Sequence, residues 1–124
     1  MKKTLAAIMA AAFLMLAITP TVSAAPLSKC KACHSITVDG KAKMGPNLFG
    51  VMDRQQGSEE GYKYGSYLQA QNAAEAVWTE EALRDWIADS KGVAKEVGQK
   101  TKMPKQKLTG EKADAVVTAL QALK

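Results

Sequence analysis

The sequence predicts an all-α domain in which a few helices and long loops fold around a large, flat prosthetic group. Three observations lead there. Two segments in the second half place apolar residues at helical spacing behind capping signals. Residues 35–64 are rich in Gly, Pro, Asn and Asp and show no sustained period. The only two cysteines and the only histidine of the 124-residue chain all fall within CKACH, residues 30–34. Long loops in a small domain need something to wrap around.

In chain order, MKKTLAAIMAAAFLMLAITPTVSA opens with two lysines and an apolar run from Leu5 to Ile18. Thr19-Pro20 breaks the run, and Val22-Ser23-Ala24 closes it with small residues. That layout is a secretory signal peptide over residues 1–24, cut after Ala24. The run is short of the roughly 20 residues a membrane span needs. The mature domain is then residues 25–124. Of 17 basic residues, Lys2 and Lys3 leave with the signal, so 15 face 12 acidic ones. A chain of this size buries a modest core and gains from a bound reinforcement.

A short helix is expected from about Ser66 to Ala74, although its apolar face is weak. Thr79 is placed to cap a second helix, with Glu80 and Glu81 in its first turn. Leu83, Trp86 and Ile87 share one face of it, and Trp78 with Leu83 fits a hydrophobic staple. Gly92 is the expected stop. Thr109 starts a last helix whose apolar stripe is Ala113, Val116, Val117, Leu120 and Leu123. No alternating run suggests a strand, and no internal repeat is present.

Charge is segregated along the chain. Residues 25–43 set Lys29, Lys31, Lys41 and Lys43 against Asp39. Residues 44–89 set Arg54, Lys63 and Arg84 against eight acids, and residues 90–107 set six lysines against Glu96. Separated charge gives a directional field that orients encounters with a charged partner. Nucleic acid is a poor candidate for that partner, because the basic segments hold no arginine and no aromatic residue for stacking.

Several chemistries compete for Cys30 and Cys33. Zinc wants four ligands, and only three nitrogen or sulfur donors of the usual kind exist here. Iron–sulfur clusters usually want four cysteines. A thioredoxin-like pair expects a βαβ pattern that is absent. A disulfide between the two closes a tiny loop and leaves His34 unexplained. Covalent haem attachment accounts for all three residues. Positions i and i+3 share a helical face, so two thiols can each add to one vinyl group on a porphyrin edge. The next residue, His34, can then reach the iron. The sixth position has no second histidine, and methionine is the usual remaining choice. The mature chain offers Met44, Met52 and Met103. Met44 lies close to the segment that must support the histidine side. Met103, in the polar context KTKMPKQK, sits on a tail long enough to cross to the other face. On spacing Met103 leads, with Met52 behind it.

Taken together, Cys30-Lys31-Ala32-Cys33-His34, Gly45-Pro46-Asn47-Leu48, Arg54, Tyr62-Lys63-Tyr64, Trp78 and Thr101-Lys102-Met103 resemble the class I c-type cytochromes. These are small soluble electron carriers of bacteria and mitochondria, and the matches occur in that family's order at nearly its spacing. The resemblance implies one haem c joined through thioethers at Cys30 and Cys33. It implies His34 as proximal iron ligand and Met103 as distal ligand. It implies that the Pro46 carbonyl accepts the imidazole N–H, and that Arg54, Tyr64 and Trp78 hold the inner haem propionate. Trp86 falls where the family often has tyrosine, and an indole N–H donates but cannot accept.

One departure stands out. The family normally places a helix ahead of its CxxCH motif, packed across the C-terminal helix. Only Ala25-Pro26-Leu27-Ser28-Lys29 precede the motif after the expected cut, and Pro26 suits at most a first turn. This N-terminal helix is therefore expected to be truncated, and the stripe on Ala113, Val116, Val117 and Leu120 to lack its usual partner. Exposed apolar surface costs about 25 cal/mol per Å², so lower stability than full-length relatives is expected. A tolerated deletion, a dimer covering the stripe, or a retained leader would each account for it.

The function expected is a periplasmic, exported bacterial electron carrier and not an enzyme. Lysines 29, 31, 41 and 43, with 100, 102, 105 and 107, are expected to ring the haem edge. They would dock acidic faces of redox partner proteins, membrane oxidases or reductases among them. The rival classes are a haem peroxidase or a small-ligand haem sensor with a labile methionine ligand, and, behind both, a thiol oxidoreductase.

Overall fold

The computed structural model describes residues 25–124. The export signal read over residues 1–24 lies outside the described residues. A 3-10 turn, Ala25–Leu27, leads into α1, Ser28–Lys31, followed by α2, Ser66–Ala73, α3, Glu80–Glu96, and α4, Gly110–Gln121. Among the described residues no strand forms, and Gln55 and Val77 make one isolated antiparallel bridge. The all-α architecture with long loops is the one expected. No helix among the described residues is long and apolar enough to cross a membrane.

α3 starts where its capping chemistry places it, and α4 follows Thr109 without a side-chain cap. The Thr79 hydroxyl accepts from the Ala82 N–H at 3.1 Å, satisfying one of the free donors of the first turn of α3. Trp78 and Leu83 are both buried, as a staple at this corner requires. Leu68 is the one buried residue of α2, in keeping with its weak apolar face.

Two expectations are corrected. Gly92 does not stop α3, which runs on to Glu96. The helix breaks three residues earlier, at Asp89 (φ −155°, ψ 77°), and restarts because the Asp89 carboxylate accepts the Gly92 N–H at 2.9 Å. The glycine is thus in the first turn of a second helical segment, where its flexibility costs little. The stripe of α4 is also not left wet. Ala113, Val116, Val117 and Leu120 are each 4 % exposed or less. α4 packs against α3, and the Ala25–Leu27 turn packs on α4 with Leu27 only 1 % exposed. Among the described residues the Ala25–Leu27 turn and the start of α1 precede Cys30, and Leu27 covers this flank of α4. Burying one leucine stabilises by about 1.5–3 kcal/mol.

Leu83, Trp86 and Ile87 of α3 join the α4 stripe, Leu27, Val51, Leu68 and Trp78 in one core cluster. This core forms the floor and back wall of the cleft that carries the chemistry.

Candidate functional site

The expected haem-site residues line one cleft: Cys30, Cys33, His34, Pro46, Arg54, Tyr64, Trp78 and Met103. Trp86, Leu83, Ile87 and Leu120 supply apolar wall from α3 and α4. The cleft therefore draws on the first turn of the chain, the long loop, and the segment between α3 and α4.

Cys30 lies on α1, and the turn after it is closed by the N–H groups of Cys33 (3.1 Å) and His34 (2.9 Å), both donating to the Cys30 carbonyl. This helical turn puts both thiols on one side, and neither is in a disulfide. Burial pushes the Cys30 thiol pKa above its ordinary value, with Lys29 pulling the other way.

His34 is held by two neighbours. Its Nδ1–H donates to the Pro46 carbonyl at 2.6 Å, which leaves Nε2 as the nitrogen with a free lone pair. Burial lowers the imidazole pKa, against the raising effect of the Pro46 hydrogen bond, so the ring favours the neutral form that can ligate. The second neighbour is Gly45. A Cβ there would lie 2.3 Å from Cε1 and 2.9 Å from Nε2 of His34, so only a glycine backbone can lie flat on this ring.

Arg54 and Trp78 are brought together by backbone pairing. The Trp78 N–H donates to the Arg54 carbonyl at 2.8 Å, and the Asp53 N–H donates to the Trp78 carbonyl at 2.9 Å. The Arg54 guanidinium donates to Asn47 O at 2.7 Å and Phe49 O at 3.3 Å, yet its Nε–H is buried with no protein partner. The Tyr64 hydroxyl accepts from the Glu59 N–H at 2.9 Å and keeps its own proton to donate. Burial raises the Tyr64 pKa, which keeps that proton in place. An orphaned guanidinium N–H beside a tyrosine donor, in a cleft that also holds two thiols and an imidazole lone pair, fits a haem with its propionate turned inward.

The methionines separate cleanly. Met52 packs at the edge of the core and does not line the cleft. Met44 does line it, but is 78 % exposed and adjoins Gly45, on the same side as His34. Met103 is half-buried and arrives from the α3–α4 connection.

Sequence reasoning missed four residues that hold this arrangement. One is Gly45, in its contact with the imidazole. Buried Asn47 donates through Nδ2 to the carbonyls of Thr37 (2.7 Å) and Gly40 (2.9 Å) and accepts at Oδ1 from the Phe49 N–H (3.0 Å). The Glu59 carboxylate accepts the Asn47 N–H at 2.7 Å. Ser90 donates to the Met103 carbonyl at 2.9 Å. Only the Gly-Pro-Asn run carries any local signal of such a role.

The cytochrome c family model matches residues 24–124. Cytochrome c-550 of Paracoccus denitrificans is 39% identical over 106 residues, covering 76% of this chain and 68% of that protein. Cytochrome c-550 of Ancylobacter novellus is 44% identical over 64 residues, covering 52% of this chain and 60% of that protein. The chain thus spans about three fifths of the latter's length. The solved structure of cytochrome c2 from Rhodospirillum Centenum superposes with a TM-score of 0.70 at 31% identity, covering 81% of this chain and 93% of the other.

Proposed function

The chain belongs to the cytochrome c family, among the class I c-type cytochromes with covalent haem c, and from that premise we propose that it is a periplasmic one-electron carrier. The thiols of Cys30 and Cys33 would hold the haem as thioethers. Nε2 of His34 and the sulfur of Met103 would ligate the iron. Haem c would supply a one-electron iron couple, and pairing histidine with methionine raises the reduction potential of such a couple.

The chain's own residues tune and protect that couple. The Pro46 carbonyl fixes the imidazole plane and makes the ligand more basic. The Arg54 Nε–H, the Tyr64 hydroxyl and the Trp78 indole would hold a haem propionate, replacing water around a charge the cleft could not otherwise keep. Trp86, Leu83 and Leu120 keep the cleft apolar. The only histidine of the chain is taken up in holding the group. The observation that carries the reading is His34, pinned by Pro46 at 2.6 Å in a cleft shared with both thiols and Met103.

The residues 1–24 signal, cut after Ala24, would deliver the chain to the periplasm. Lysines flanking both ligand segments would dock acidic faces of partner proteins such as membrane oxidases or reductases. Lys29 and Lys102 lie at the rim of the cleft. Partner reduction rates are expected to fall as salt rises, because rim charges act through a screened field. A rate flat in ionic strength rules this docking out. For the site itself, the reduced spectrum after acid–acetone extraction decides: haem that stays with the polypeptide supports thioether attachment. A sulfur-to-iron charge-transfer band in the oxidised protein supports Met103.

A further inference from the structure

The segment carrying Met103 has no helix or strand of its own, and it is tied to α3 at one place, the break at Asp89. The break frees carbonyls that a continuous helix would use. The Ala88 carbonyl accepts from the Lys107 N–H at 3.0 Å and the Ile87 carbonyl from the Leu108 N–H at 3.1 Å. Lys107 adopts a left-handed backbone (φ 57°) to make this return, a conformation unfavourable for a lysine and held only by its surroundings. On the other flank the Lys91 ammonium donates to the Thr101 carbonyl. Between the flanks lies Ser90, 0 % exposed, its hydroxyl 2.9 Å from the Met103 carbonyl and 3.4 Å from that of Pro104. Serine in a helix usually bonds back to the carbonyl four residues earlier. Ser90 instead reaches across to the segment that presents a methionine to the cleft.

We propose that Ser90 is the positioning residue for Met103, fixing the backbone from which the thioether reaches the cleft, with Lys91 as an outer tether. The proposal rests on Met103 being the distal ligand. A hydroxyl carries one proton, and the Met103 carbonyl is its nearer acceptor. Without it, that carbonyl loses its side-chain partner beside a fully buried position. The methionine then swings away more readily, and an external ligand takes its place more easily. A merely structural serine behaves differently: its loss lowers global stability and leaves ligand exchange alone.

The test uses the full chain, exported and loaded with haem. Imidazole is the probe, and its apparent dissociation constant is read from loss of the charge-transfer band of the oxidised protein. Ser90→Ala is expected to lower that constant about tenfold, the scale of one buried hydrogen bond to a carbonyl. Lys91→Met, at an exposed position, is expected to lower it about threefold, as a weaker surface contact does. Val116→Ala serves as control. It removes buried volume from α4, so it is expected to lower the denaturant midpoint while leaving the imidazole constant within about twofold. An unchanged constant in Ser90→Ala overturns the proposal, as does an equal shift in Val116→Ala. If Ser90→Ala yields no loaded protein, Lys91→Met decides, and no change there overturns the clamp. A band absent from the parent protein, or still present in Met103→Ala, removes the Met103 reading and the proposal with it. A band that is present and imidazole binding that is unmoved in Ser90→Ala remove the Ser90 proposal alone.

Discussion

The two sides of the cleft are built by different means. The His34 side is held by its own neighbourhood. Pro46, Gly45, Asn47 and Glu59 all lie within one loop of the histidine, and their bonds run between backbone and short side chains. The Met103 side has a smaller local frame, the Met103 N–H donating to the Thr101 hydroxyl at 3.4 Å and the Gln106 amide to the Pro104 carbonyl at 2.9 Å. It is held from α3 by Ser90, Lys91 and the carbonyls of Ile87 and Ala88, and α3 is itself held by α4. The bonds of the first side join residues of that one loop to each other and to His34 and need no packing between helices. The second exists only when the core between α3 and α4 has packed. The difference implies an order of failure: under stress the methionine leaves before the histidine does.

The change that erases the comparison has the largest effect. With Cys30→Ala and Cys33→Ala together, no haem is expected to stay with the chain after acid–acetone extraction. Far-ultraviolet circular dichroism is expected to show helix loss without a cooperative melt. The cleft walls are apolar and the loops long, so without the group they enclose both sides lose their purpose at once. A colourless double variant with a sharp melt would show that the core folds unaided.

Asn47→Ala separates the sides. It strands the Thr37 and Gly40 carbonyls and the Phe49 N–H, Gly40 and Phe49 at half-buried places and Thr37 at an exposed one. Leaving such groups unpaired costs about 1–3 kcal/mol apiece before relaxation, and a net loss of about 3 kcal/mol in urea unfolding is expected. The charge-transfer band at neutral pH is expected to remain, since nothing on the Met103 side touches Asn47. Loss of the band before any loss of stability would mean that the two sides are coupled through the haem after all.

The same asymmetry explains what could be read from the sequence. CKACH, the Gly-Pro-Asn run, and Thr79 with its two following glutamates are compact signals, because the residues that carry each stand side by side in the sequence. Met103 was reachable by spacing and by its polar surroundings, but what grips it was not. Ser90 and Lys91 act on carbonyls more than nine positions away, and a carbonyl has no letter in the sequence. The end of α3 was misplaced for a related reason. Gly92 looks like a stop, whereas the Asp89 carboxylate three residues before it restarts the helix by capping its N–H. From the sequence the α4 stripe lacks a partner because only five residues stand between the expected cut after Ala24 and Cys30. A single leucine, Leu27, is enough to seal one flank once α3 covers the other.

The smallest expected effect concerns that restart, on the Met103 side alone. The Gly92 N–H holds the Asp89 carboxyl below its ordinary pKa, with the Lys105 ammonium, 3.4 Å away, acting in the same direction. A pKa lowered by folding means the ionised form favours the fold. Its contribution is complete above the carboxylate's unfolded value, about 3.9, and is lost as pH falls through the lower folded one. The side chain is 41% exposed, so the ion-pair part is screened and weak. Asp89→Asn keeps an oxygen for the Gly92 N–H but not the charge. The parent's advantage over it in denaturant midpoint is therefore expected to be flat from about pH 7 to pH 5 and to shrink below about pH 4. Added salt at neutral pH should trim the Lys105 share and leave the cap. An advantage undiminished in acid would mean that the break depends on the shape of the cap and not on its charge, and the Met103 side would then be no more acid-sensitive at this joint than the His34 side.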